Sequence, residues 1–157
     1  MHERGSAGPP GVVIREMVIS DAKEAAELSA ELGYPVSTEA MEERLQYIVG
    51  LPAHVVYASC IDDRVVGWID VGIVHHLQSA PFGEIGGLVV GSEYRDLGIG
   101  HQLVRKAEQW ILAQGVRTVL VRSQIKRERA HRFYLEQNFS RLKTSAVFTK
   151  SLEPQED

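Results

Sequence analysis

Gly83-Glu84-Ile85-Gly86-Gly87-Leu88-Val89-Val90-Gly91-Ser92-Glu93-Tyr94-Arg95-Asp96-Leu97-Gly98-Ile99-Gly100-His101 is the segment from which the rest of the chain can be read. Leu88, Val89 and Val90 form an apolar run of the kind that is buried as a strand. A short turn and a glycine-spaced loop, Arg95 to Gly100, come next. Beyond them Leu103, Val104, Ala107, Ile111 and Gln114 fall on one face at helical spacing. A strand that enters a helix through such a loop aims several backbone N–H groups at one point, and the helix dipole adds partial positive charge there. A phosphate or pyrophosphate suits that end. Gly98 and Gly100 carry no Cβ to hold a ligand off the main chain, and Arg95 supplies a guanidinium fork for phosphate oxygens. A plain glycine turn before a core helix would use the same residues, so the loop by itself leaves both readings open.

The composition narrows the class. With 157 residues, 44% hydrophobic and 24% charged, the chain has the material for one soluble domain with a real core. A net charge of −4 and a pI near 5.9 argue against non-specific affinity for nucleic acid or an anionic membrane. Cys60 is the only cysteine and sits in the apolar run Val55-Val56-Tyr57-Ala58-Ser59-Cys60, so it reads as a buried strand residue in a reducing compartment. No segment has the length of a membrane span or the layout of a signal peptide, and the expected location is cytoplasmic.

Read in order, residues 1–11 hold three glycines and two prolines without periodicity and are expected to be a disordered leader. Val12 to Ile19 alternates as a first strand. Ser20-Asp21 opens a helix, with Glu24 spaced as a capping-box partner, and Ala25, Leu28 and Leu32 make its buried stripe before Gly33 ends it. Ser37 or Thr38 caps a second helix with Met41, Leu45, Ile48 and Val49 inside. His54 to Ile61 and Val65 to Val74 read as strands about a hairpin turn at Asp62-Asp63-Arg64. His75 to Pro81 reads as a loop, and the central strand starts near Phe82. After the glycine loop and its helix, Gly115 is a C-cap, Arg117 to Arg122 holds a short strand, and Arg127 to Glu136 forms a helix. A final pair of strands is expected from Phe139 to near Leu152, then a polar tail over residues 153–157. The organisation expected is one domain over residues 12–152.

Known phosphate loops can be compared with Arg95–Gly100. The nucleotide P-loop needs a Gly-Lys-Ser/Thr ending that is absent here, and the dinucleotide fingerprint needs a third glycine where Leu103 stands. The pattern Arg/Gln-x-x-Gly-x-Gly/Ala is met in full. A second segment, Arg129-Ala130-His131-Arg132-Phe133-Tyr134-Leu135-Glu136-Gln137-Asn138-Phe139, follows Ala-x-x-Phe-Tyr-x-x-x-Gly-Phe with Asn138 in the glycine position. On these two motifs, and on the order of elements between them, the chain resembles the GCN5-related N-acetyltransferase (GNAT) superfamily. Arg127 departs from it, standing where many members carry Asn.

The resemblance implies the acyl-CoA N-acyltransferase fold. This is α+β, a mixed and mostly antiparallel sheet flanked by helices, in the order β-α-α-β-β-β-α-β-α-β-β. It implies acetyl-CoA as co-substrate and no metal. Arg95, Asp96, Leu97, Gly98, Ile99, Gly100 and His101 would hold the pyrophosphate, and main-chain groups at Leu88, Val89 and Val90 would hold the pantetheine arm. Gly86-Gly87 suggests a bulge or close backbone approach in that strand. The acceptor implied is a primary amine of a small molecule or peptide, acetylated directly through a tetrahedral intermediate, and the assembly a homodimer. Tyr134 would point to the coenzyme sulfur as general acid, and Glu84 would be the base, usually through water. Each also has a plainer explanation: an aromatic on a core helix face for Tyr134, a solvated carboxylate at a strand start for Glu84. Tyr34, His75 and His76 could border the acceptor site. Metal chelation by the two adjacent histidines is disfavoured because their side chains diverge on an extended segment. Lys126-Arg127-Glu128-Arg129 is mixed charge at a helix start, a solvated face rather than a nucleic-acid patch, and Trp68 and Trp110 read as core or interface residues. The alternative function is a non-catalytic acyl-CoA-binding sensor on the same fold. Both need the loop, but only an enzyme needs Tyr134 and a base.

Overall fold

A computed structural model of the protein describes residues 11–154. Most of the expected leader, and residues 155–157 of the expected tail, lie outside that range. The chain divides into two compact units, Met1–Arg122 and Ser123–Asp157.

In the first unit, strands β1 (Val12–Glu16), β2 (His54–Ile61), β3 (Arg64–His76), β4 (Ser79–Val90) and β5 (Val119–Val121) form one sheet in that order. Helices α1 (Ala22–Glu31) and α2 (Thr38–Ile48) stand between β1 and β2, and α3 (Ile99–Ala113) crosses from β4 to β5. Successive strands pair antiparallel until β4 and β5, which are parallel. Tight turns join β2, β3 and β4 into antiparallel hairpins and a helix joins the parallel pair, while β1 reaches its antiparallel partner β2 through α1 and α2. The β2–β3 turn uses Asp62 and Asp63, both left-handed at φ 49° and 63°. This double positive φ is what a two-residue hairpin following the strand twist requires, and aspartate tolerates it better than most residues.

The two faces of the sheet are filled differently. Met17, Ala25, Leu28, Leu45, Val56, Ala58, Cys60, Val65 and Val89 pack together on the α1 side, where the Trp68 indole N–H donates to the Ala25 carbonyl at 3.3 Å. On the other side α3 buries Ile99, Leu103, Val104, Ala107 and Ile111. There a Cβ on Gly67 would stand 3.4 Å from Leu103 Cδ1, and one on Gly83 would overlap Ile111.

Several expectations shift. The loop expected over His75–Pro81 shrinks to Leu77-Gln78, because pairing continues through Val74↔Phe82 and His76↔Ser79 and the His76 ring packs on Phe82 at 5.8 Å. The Asp21–Glu24 capping box does not form. Asp21 accepts two bonds from the Arg15 guanidinium, at 2.7 and 2.9 Å, and one from the Val18 N–H at 2.9 Å, while Glu24 accepts the Val65 N–H across the fold at 3.1 Å. Ser37 does cap α2, its hydroxyl accepting the Ala40 N–H at 3.0 Å.

The Asp21 cluster yields a test. Burial acts to raise the Asp21 carboxyl, and the Arg15 fork with the Val18 amide more than offsets it, so the group lies below the ordinary carboxylate range. A depressed folded-state value contributes stability that is present above the unfolded value near 3.9 and is lost as pH falls through the folded one. Asp21→Asn is therefore expected to lower stability at pH 7 by about 1–3 kcal/mol. The gap in Tm between wild type and variant should close as acid is added below about pH 4. A gap that stays constant down to pH 2 would show that the charge at Asp21 contributes nothing.

The second unit contains α4 (Glu128–Glu136). Asn138 has φ 68°, and the Phe139 and Asn138 N–H groups close on the carbonyls of Tyr134 (3.0 Å) and Leu135 (3.1 Å). This is the left-handed helix stop that usually takes glycine, so the Asn138 departure keeps the geometry of the motif. The final pair of strands expected from Phe139 is not found: residues 139–154 contain no strand. Their larger apolar side chains, Leu142, Val147, Phe148 and Leu152, are exposed. Alternation provides an apolar side, but a strand also needs a neighbouring main chain to complete its ladder.

Candidate active site

The glycine loop is built as its residues suggest. β4 ends at Val90, a 3-10 turn spans Ser92–Tyr94, and the loop then runs directly into α3. Ser92 is tied back to the end of α1, its hydroxyl donating to Glu31 at 2.7 Å and its N–H at 3.2 Å. Arg95 is extended, Asp96 is left-handed at φ 65°, and Gly98 is the left-handed N-cap of α3 at φ 84°. The first i-to-i−4 bond of the helix runs from the Gln102 N–H to the Gly98 carbonyl at 3.1 Å. Leu97 points outward, 49% exposed, while Ile99 is 1% exposed and anchors the helix in the core. The main chain from Asp96 to Gly98 is thus on the surface at the positive end of a 15-residue helix. A Cβ on Gly98 would meet nothing within 4 Å, so the space above it is open to a ligand. Those features fit an anionic diphosphate.

β4 leads from this loop to a second feature. Leu88, Val89 and Val90 pair with Ile69, Trp68 and Gly67 of β3, but β5 pairs with β4 only at Gly83, Glu84 and Ile85. From Gly86 to Val90, β4 has no strand partner on its β5 side among the described residues. That leaves an edge where an extended ligand can add as a strand. Gly86 is the extra residue of a bulge, since Asp70 faces Gly87 and Val71 faces Ile85. The bulge suggested by Gly86-Gly87 is present, and at Gly86 a Cβ would stand 2.8 Å from Asp70 Oδ2.

At the start of this edge lies a cavity of about 330 Å³. Leu51, Pro52, Ile73 and Val74 give it apolar walls, and His54, Asp70 and Glu84 give it polar ones. Glu84 Oε2 accepts from Arg122 Nε at 3.0 Å. Glu84, the candidate base, lines this cavity; Tyr34, His75 and His76, expected to border an acceptor, are not among its walls. His54 and Asp70 do line it. Asp70, a lone charge in Gly67-Trp68-Ile69-Asp70-Val71-Gly72, was the available sequence signal.

Tyr134 belongs to the second unit, on α4, with its ring edge-on to Phe133 and Phe139 at 5.3 and 5.5 Å. Burial pushes its phenol above the ordinary value, with Arg127 pulling the other way. A raised phenol holds its proton at neutral pH, the form a general acid needs. Cys60 is buried in β2 with its thiol pushed up, chiefly by burial, which is the inert state for a cysteine. Among the described residues no helix is long and apolar enough to cross a membrane.

Known proteins share this family and fold. The acetyltransferase (GNAT) family model matches residues 21–139. The chain is 26% identical over 145 residues to aminoglycoside N(6')-acetyltransferase type 1 of Stenotrophomonas maltophilia, covering 90% of this chain and 94% of that one. It is 38% identical over 90 residues to the aminoalkylphosphonate N-acetyltransferase of Salmonella typhimurium, 57% of each chain. A structure of the aminoglycoside N-acetyltransferase AAC(6')-Iy in complex with CoA superposes with a TM-score of 0.79 at 17% identity, over 88% of this chain and 94% of the other. The protein belongs to the acetyltransferase (GNAT) family, and is an acetyl-CoA-dependent N-acetyltransferase of α+β fold.

Proposed function

We propose that this enzyme acetylates a primary amine on a small, positively charged molecule, directly from acetyl-CoA. The observation that carries this reading is the cavity at the start of β4, where Asp70 and Glu84 place two carboxylates among apolar walls. That combination favours an alkylammonium over a neutral or anionic acceptor. A cavity of about 330 Å³ accommodates one amine-bearing end of a polycation. The relatives are named for aminoglycoside and aminoalkylphosphonate acceptors, both amine-bearing, and the aminoglycoside is the polycation of the two.

The coenzyme supplies an acyl thioester. The surface loop Arg95-Asp96-Leu97-Gly98-Ile99-Gly100-His101 holds its diphosphate, supported by the left-handed Gly98 and the helix end behind it. Main-chain groups at Leu88, Val89 and Val90 orient its extended arm, and a strand N–H near Val89 faces the oxyanion. Glu84 draws in the ammonium and relays its proton through water. Tyr134 gives a proton to the departing sulfur. The free thiol of Cys60 accords with a reducing, cytoplasmic location.

The test is CoA-thiol release from acetyl-CoA with kanamycin and with aminomethylphosphonate as acceptors. The expected result is turnover of both, or of kanamycin alone, with kcat/KM for kanamycin higher by tenfold or more. Tyr134→Phe should lower kcat about a hundredfold. Tight CoA binding without turnover of any amine would support an acyl-CoA sensor instead, and a Tyr134→Phe variant that matches wild type at saturating acceptor would remove the phenol from the mechanism.

A further inference from the structure

His54 and Asp70 form a pair for which the proposed reaction has so far had no use. His54, the first residue of β2, lies opposite Gly72 of β3, and Gly72 lies opposite Glu84 of β4. Cross-strand neighbours share a face. An imidazole and a carboxylate therefore rise from one row with a glycine between them, their backbones about 10 Å apart. In the next row Asp70 Oδ1 bonds His54 Nε2. The room for this pair comes from two residues without side chains: a Cβ on Gly72 would stand 3.1 Å from His54 Nδ1, and one on Gly86 would stand 2.8 Å from Asp70 Oδ2. Both side chains are about three-quarters buried, with 24% and 28% of their surface exposed. Asp70 from β3, Glu84 from β4 and the Arg122 that binds Glu84 are the charged groups around the imidazole among the described residues.

We infer that His54, held by Asp70, is the final acceptor of the amine's proton, and that Asp70 is its positioning residue. This rests on the cavity being the acceptor site. Bonded through Nε2 to a carboxylate, the ring has Nδ1 left to accept a proton, its face packed over Gly72, and the carboxylate stabilises the imidazolium that forms, as in other His–Asp pairs. Glu84 is already engaged by a guanidinium. An imidazole in general is also the better match to an alkylammonium, with ordinary values near 6.5 and about 10 against about 4.3 for a glutamate. The step balances. The ammonium gives one proton to Nδ1, through water at Glu84 or directly, and frees its lone pair. A C–N bond forms at the thioester carbonyl, the C–S bond breaks with its electron pair on sulfur, and a second N–H proton reaches that sulfur. His54 then releases the first proton to solvent, so ammonium and thioester become amide, thiol and one proton.

The experiment compares His54→Ala, His54→Gln, Asp70→Asn and Asp70→Glu with wild type, using kanamycin and acetyl-CoA, with Tm and CoA affinity measured beside the kinetics. His54→Ala and His54→Gln should lower kcat tenfold or more without changing CoA affinity. Added imidazole should restore part of the rate in the alanine variant, where it has room, and not in the glutamine variant. Asp70→Asn should lower kcat, with partial recovery in Asp70→Glu. Wild-type kcat in both His54 variants overturns the inference. So does a loss in folded His54→Ala that imidazole leaves untouched, because that pattern belongs to packing. If wild type binds CoA but turns over no amine, the proposed function falls and the inference with it; turnover indifferent to His54 removes the inference alone.

Discussion

Replacing Gly98 by Val should weaken CoA binding roughly a thousandfold while lowering stability by only about 1–2 kcal/mol, the ordinary strain of a left-handed side-chain residue. Gly98 is the left-handed N-cap of α3, and its surroundings are empty to 4 Å. Nothing inside the protein therefore forbids a side chain there; the conformation and the ligand do. If the loop keeps its shape, the isopropyl group stands where the proposed function brings the diphosphate. If the loop relaxes to relieve the strain, the amides at the helix end no longer converge. Either route loses two or so charge-assisted hydrogen bonds of about 1.5–3 kcal/mol each, hence the thousandfold figure. Calorimetry with CoA measures it directly. A variant that binds CoA within fivefold of wild type would place the diphosphate elsewhere.

Leu103→Ala should have the opposite profile. Leu103 is fully buried on α3, one turn beyond the loop, with Gly67 of β3 facing it. Glycine has no side chain to swing into the space, and Gly67 is fixed in the middle of the sheet between its partners Ser59 and Val90. The hole should stay open, so the loss should be about 3 kcal/mol, or a fall in Tm of roughly 6–12 °C. Because Leu103 does not reach the surface, CoA in excess should still raise the variant's Tm by mass action. Thermal unfolding with and without CoA then separates the two substitutions: Gly98→Val keeps most of its Tm and loses the ligand's effect, and Leu103→Ala does the reverse. A Leu103→Ala protein as stable as wild type would mean that α3 can close onto β3 after all.

What could be read from the residues divides along physical lines. Gly33, Gly115 and Asn138 act through local geometry and stand as the helix stops their residue types suggested, and of the two expected cap candidates Ser37 is the one that bonds. The α3 stripe is equally local, since period and burial coincide there. Asp21 could not be read this way. As a residue before a helix it resembles a cap, but its carboxylate is claimed by Arg15 from β1, a tertiary partner that no local pattern announces. The extended segment after Phe139 alternates as a strand would, yet pairing is a property of two segments and the pattern describes one. The candidate site shows the same split. The loop is contiguous in sequence and was legible, but the His54–Asp70 pair joins residues 16 positions apart and depends on a bulge and on two absent side chains.

The unpaired margin of β4 between Gly86 and Val90 has an evolutionary corollary. Recognition through amides and carbonyls is blind to whatever side chains decorate them, provided that the strand stays extended and its neighbour stays away. Side chains along such a margin are then constrained by packing alone, as at Gly86, Gly87 and the buried Val89, and not by the ligand.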